Sequence, residues 1–103
     1  MNKMACWNTS IVTLNNGKIY VKSGDRSNSY FGKFWVAKIN GTDPKFGLSR
    51  QFVNDKDGAV LEEGIYQIFR NCQWAKRAEE YFVKVLNNNN YETITKQEVI
   101  ALF

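Results

Sequence analysis

The chain has 103 residues, with 14 lysines and arginines against 10 aspartates and glutamates, no histidine and two cysteines, for a net charge of +4. At 44% hydrophobic and 15% aromatic it is too apolar for a disordered chain and long enough for only one core, so a single compact domain over 1–103 is expected. The missing histidine excludes Ser-His-Asp and Cys-His catalysis, HExxH helices and mixed Cys/His zinc sites.

The first alternating segments, Ser10–Leu14 and Lys18–Lys22, flank Asn15-Asn16-Gly17, whose Asn-Gly supplies the positive φ angles of a tight hairpin turn. In the second segment Ile19 and Val21 face one side, while Lys18, Tyr20 and Lys22 face the other. Gly24–Ser29 reads as a polar loop. Tyr30–Ile39 is the longest and most aromatic strand, apolar on both faces. Asn40–Gly47 is dense in turn formers, with Asp43-Pro44 favouring turn initiation, and Leu48–Val53 is the return strand. Asn54–Gly58 is a further turn, with Asp57-Gly58 as its hairpin signal.

Ile65–Arg70 and Tyr81–Leu86 alternate again, and the second is β-branched and aromatic. Between them Gln73–Glu80 is made mostly of helix formers, which leaves one or two helical turns or a polar loop as the alternatives. Four asparagines, Asn87 to Asn90, turn the chain into Tyr91–Ile94. Thr95-Lys-Gln-Glu98 has the spacing of a capping box ahead of Val99–Phe103, which predicts a short C-terminal helix. The pattern predicts a mainly β (α+β) fold: a small antiparallel barrel or strongly bent sheet of about six to seven strands with a short C-terminal helix. An open α+β sheet with 73–80 as a second helix is the alternative.

Charge is unevenly distributed. Residues 1–50 carry Lys3, Lys18, Lys22, Arg26, Lys33, Lys38, Lys45 and Arg50 against Asp25 and Asp43, and the remainder nets −2. All of the basic excess therefore lies in the first half. No apolar h-region opens the chain, and no apolar run approaches the roughly 18 residues of a membrane span. Cys6 and Cys72 form no CxxC. The expectation is a reduced, cytoplasmic protein without a membrane partner.

Catalytic chemistry finds no footing. Glu62-Glu63 and Glu79-Glu80 are the only carboxylate pairs, and neighbours on a strand point to opposite faces. Asp55-Lys-Asp57-Gly58 fails as a calcium loop, because the first and twelfth positions would be Val53 and Gly64. The phosphate-binding glycine motifs are absent. We expect no enzymatic activity, no cofactor and no metal.

Two binding readings remain. A basic and aromatic face comprising Lys18, Tyr20, Lys22, Arg26, Lys33, Lys38, Lys45, Phe46 and Arg50 mixes cations with rings, as single-stranded DNA or RNA binding requires. On this reading Tyr20 and Phe46 stack on bases, whereas Phe34 and Trp35 belong to the core. Alternatively the chain covers the surface of a protein or nucleoprotein complex, its acidic residues Asp55, Asp57, Glu62, Glu63, Glu79 and Glu80 imitating phosphates. In size and net composition it resembles the small proteins of phages and mobile elements, among them anti-CRISPR and other anti-defence inhibitors. No motif carries that resemblance and no residue role is transferred by it. It implies steric inhibition, or an accessory role, at a nucleoprotein assembly, which is the preferred expectation, with single-strand binding as the alternative. Exposed strand edges also leave room for a homodimer.

Overall fold

The computed structural model describes residues 11–13, 18–22, 31–45, 47–55, 58–72, 77–87 and 90–103. Among the described residues eight strands precede one helix: β1 (Ile11–Thr13), β2 (Ile19–Lys22), β3 (Phe31–Asp43), β4 (Gly47–Phe52), β5 (Gly58–Leu61), β6 (Gly64–Cys72), β7 (Arg77–Val85), β8 (Tyr91–Ile94) and α1 (Lys96–Leu102). They form a three-stranded sheet of order β1-β2-β5 and a five-stranded sheet of order β4-β3-β6-β7-β8, both antiparallel. The fold is thus mainly β with a short C-terminal helix, and the strands divide between two sheets instead of closing into a barrel.

Alternation in sequence becomes burial in space. Ile19 and Val21 of β2, with Ala59 and Leu61 of β5, pack against Phe34 and Val36 of β3, Tyr66 and Ile68 of β6, and Val83 and Val85 of β7. This inner core joins the two sheets face to face, and Val21, Val36, Ile68 and Val83 are fully buried. Full burial of each such side chain contributes roughly 1.5–3 kcal/mol. A smaller second cluster lies on the opposite, outer face of the large sheet, where Val99 of α1 covers Ile39, Leu48, Ile65, Phe82 and Ile94.

The helix starts where the capping box places it. The Thr95 hydroxyl accepts from the Glu98 N–H at 3.1 Å, and the Thr95 N–H donates to the Glu98 carboxylate at 2.8 Å. Two of the N–H groups orphaned at a helix start are satisfied in this way.

Three parts of the chain depart from expectation. β3 continues through Asn40 to Asp43, because Asn40 is accommodated as a bulge: Ile39 pairs with Arg50 and Gly41 with Ser49. The chain then turns at Asp43-Pro44, where the Lys45 N–H donates to the Asp43 carboxylate at 2.7 Å. Arg77–Glu80 is strand, not helix, because its backbone continues the ladder with β6, Phe69 facing Glu80 and Cys72 facing Arg77. Tertiary pairing overrides local helix propensity there. The third departure is β5, a four-residue strand that alternation did not disclose. The proposed turn residues Asn15 to Gly17, the loop at 24–29 and residues 73–76 lie outside the described residues.

Gly58 makes β5 possible. Its φ of +147° lies outside the usual range of residues with side chains, and a Cβ there would run into the Val21 carbonyl oxygen. Its N–H donates to the Asp55 carboxylate at 3.0 Å, and its carbonyl accepts from the Asp55 N–H at 2.9 Å, closing the turn. Gly58→Ala is therefore expected to destabilise the protein by about 1–3 kcal/mol. A lowered urea midpoint with an unchanged m-value is the expected result; an unchanged midpoint would refute this account of the turn.

Candidate binding face

The outer face of the five-stranded sheet is divided in two. Beside the part covered by α1, Trp35 of β3 stands opposite Phe69 of β6, and Phe52 of β4 stands opposite Ala37. The Trp35 and Phe69 rings stack with centroids 5.3 Å apart and planes 15° from parallel, while Phe52 meets Trp35 edge-on at 5.2 Å and 89°. Both are favoured aromatic geometries. Phe52 is 63% exposed although it is held by this contact. Trp35, expected in the core, is half-buried and forms the floor of a surface patch, whereas Phe34 is buried as expected.

Next to these rings lies a polar relay across four strands. Gln67 of β6 is 1% exposed. Its side-chain oxygen accepts from Arg50 Nε of β4 at 2.6 Å, and its amide nitrogen donates to the Glu80 carboxylate of β7 at 2.8 Å. A buried amide is tolerated only when its groups are paired, and here one end meets a cation and the other an anion. Charged partners make these hydrogen bonds stronger than neutral ones. The relay therefore fixes Arg50 and Glu80 as an ordered positive and negative pair beside the rings.

The residues expected to form one basic face lie on different surfaces. Lys18 and Tyr20 belong to the outward side of the small sheet, since Ile19 and Val21 point inward. Lys38 lies on the inner side of the large sheet, its Cε over Gly64. Lys45 is in the β3–β4 turn and Arg50 is on the outer face. The physical reason is topological: β2 and β3 are adjacent in sequence but in different sheets. Lys22 and Lys33 belong to β2 and β3, but their side chains, together with Arg26 and Phe46, lie outside the described residues.

The acidic residues are also dispersed. Asp55 and Glu62 stand at opposite ends of β5, with Glu63 next to Glu62, and Glu80 is on the outer face of the other sheet. Asp57 and the side chain of Glu79 lie outside the described residues. Among the described residues no three metal-ligating side chains come together, and no helix is long and apolar enough to cross a membrane. Among the described residues, shallow clefts of 310 Å³ beside Glu63, Ile65 and Lys84 and of 230 Å³ between β8 and α1 add relief to the surface. Phe52, Gln67 and Phe69 are the members of the patch that sequence reading passed over. Alternation with Ile65 placed Gln67 and Phe69 on one face and Phe52 fell within the expected return strand, but nothing local showed that the face was open.

Tyr66 of β6 is perturbed by its surroundings. The Tyr66 phenol is pushed above its ordinary value near 10, mainly by burial; the Glu62 N–H that donates to it at 3.0 Å opposes this, and the Glu62 charge adds to it.

No protein-family model, curated protein or solved structure matches the chain.

Tyr66→Phe leaves the Glu62 N–H without this partner and should cost about 0.5–1.5 kcal/mol at neutral pH. The unfolded chain releases the phenol proton at lower pH than the folded one, so Tyr66 contributes fully below pH ~10 and loses its contribution as pH rises through the folded value. The stability advantage of the parent over Tyr66→Phe should therefore shrink above pH ~10. A difference that stays constant from neutral to strongly alkaline pH would disprove it.

Proposed function

We propose that this protein is a non-catalytic binding module that covers a protein surface, acting as an inhibitor or accessory factor of a nucleoprotein assembly. The observation that carries the proposal is the outer-face patch, in which Phe52 projects into solvent from a fixed aromatic contact beside the Arg50–Gln67–Glu80 relay. Aromatic and arginine side chains ordered before binding are the usual anchors of protein interfaces, because little conformational entropy remains to be lost.

The same patch is a poor platform for a nucleic acid strand. Glu80 puts a negative charge beside the rings, and Arg50 already donates to Gln67. Lys18, Lys38 and Lys45 lie elsewhere. Placed off the docking patch, these cations still contribute to the field that draws the protein toward a polyanionic assembly. The basic excess of the first half thus supports encounter with a nucleoprotein partner, and the rings support the contact itself.

Phe52→Ala should leave stability within about 0.5 kcal/mol, since the side chain is largely exposed. It should weaken capture of the partner at least about tenfold, as loss of an interface anchor does. Affinity capture from the source cell with both forms, followed by titration of the purified captured protein, tests this; equal binding by both forms would remove the patch from the function. Fluorescence anisotropy on single-stranded DNA and RNA tests the alternative. Tight binding that falls by orders of magnitude from low to moderate salt would replace the protein-docking reading with direct phosphate binding.

A further inference from the structure

We infer that the aromatic patch pairs with the same patch on a second copy of this chain when no partner is bound, so that self-association and partner binding compete for one surface. The inference rests on the reading of that patch as a docking surface and adds how its availability is controlled.

The argument is one of charge symmetry. Arg50 and Glu80 stand on β4 and β7, with β3 and β6 between them, and both are directed toward Gln67. Across the sheet their backbones are three strand spacings apart, or about 14 Å, and they are also offset along the strands, Arg50 pairing with Ile39 whereas Glu80 lies, through Phe69, in line with Trp35. Glu80 uses one carboxylate oxygen for Gln67; Arg50 uses Nε for Gln67 and makes a long Nη1 contact of 3.5 Å with the Leu48 carbonyl. Among the described residues neither is paired with an opposite charge, so each keeps hydrogen-bonding capacity directed outward.

A surface with one positive and one negative group at opposite ends of a buried neutral one is complementary to itself. Consider a two-fold axis lying in the interface over Gln67, across the line that joins the two charges. It sets Arg50 of one protomer against Glu80 of the partner subunit and repeats the pair on the other side, which is the isologous arrangement of two-fold dimers. The same rotation lays Phe52 and the Trp35–Phe69 stack against their counterparts and removes the most exposed ring from water. The match needs no induced ordering, because the relay already holds both charges.

Sedimentation of the purified protein over a range of concentrations tests the inference without reference to any partner. The parent should form dimers that dissociate more readily as salt rises. Arg50→Glu alone and Glu80→Arg alone place like charges across the two-fold, and each should weaken dimerisation at least about tenfold. An equimolar mixture of the two variants restores opposite charges at both contacts and should yield a 1:1 heterodimer. The double variant should recover the homodimer, since the Gln67 amide, turned over, serves the exchanged pair equally well.

Phe52→Asp perturbs the patch without touching the relay and should also be monomeric, which keeps the test valid if a single charge reversal unfolds the chain. The inference is overturned by a parent that is monomeric at every concentration, by single variants that dimerise like the parent, by a mixture of folded single variants that stays monomeric, or by a Phe52→Asp protein that still dimerises. Any of these results leaves the partner-capture experiment to stand or fall by itself.

Discussion

The structure depends on a mismatch between the sheet and what covers it. β3 has apolar side chains on both faces, so the five-stranded sheet built around it needs cover on both sides. The inner face is covered by β2 and β5. Among the described residues the outer face is covered by α1 alone, and seven residues of helix span about 10 Å, against about 40 Å of extended chain in a thirteen-residue strand. A helix of that length cannot cover the sheet, and Val99 brings it down over Ile39, Leu48, Ile65, Phe82 and Ile94. The remaining outer surface has to be made compatible with water by its own side chains.

Gln67 and the three rings are how this is done. At the margin of the covered region an apolar residue in place of Gln67 would extend the core outward, with nothing to close over it. A glutamine instead satisfies its buried amide through Arg50 and Glu80, whose charged heads reach solvent. Beyond it the aromatic residues bury part of their area in one another, Trp35 under Phe69 and Phe52 against Trp35, and leave the rest exposed. The patch is thus a consequence of a short helix on a long strand, and its rigidity follows from ring contacts and charge-assisted hydrogen bonds within the sheet.

Much of the fold was legible in the sequence wherever the signal was local. The capping box at Thr95 and Glu98, the inward pair Ile19 and Val21, and the turn at Asp43-Pro44 are encoded by neighbours within a few residues. Arg77 to Glu80 were not legible, because their helix-forming side chains are overruled by pairing with β6. β5 was hidden for a related reason: it is four residues long and depends on a glycine conformation and a turn closed by Asp55. The candidate face was harder still. Period-2 reading assigns the two sides of each strand, but not which sheet a strand joins or which side meets a second layer. Arg50 and Glu80 were selected for opposite charge and assigned to separate faces, whereas the fold joins them through a residue with no charge at all.

That junction changes what the charge distribution of the chain means. Read along the sequence, a basic first half and an acidic second half suggest two surfaces, one for each kind of partner. In the fold, the antiparallel order β4-β3-β6-β7 sets the halves side by side in one sheet, so a cation from the first and an anion from the second lie on one face within reach of the same amide. An oriented pair of this kind contributes little net attraction to a uniform polyanion, because the attraction of Arg50 is offset by the repulsion of Glu80. It discriminates strongly between surfaces that present the opposite charges in the right order and those that do not. In the proposed docking role, the residues that let this sheet face meet water are therefore the ones that would make it selective.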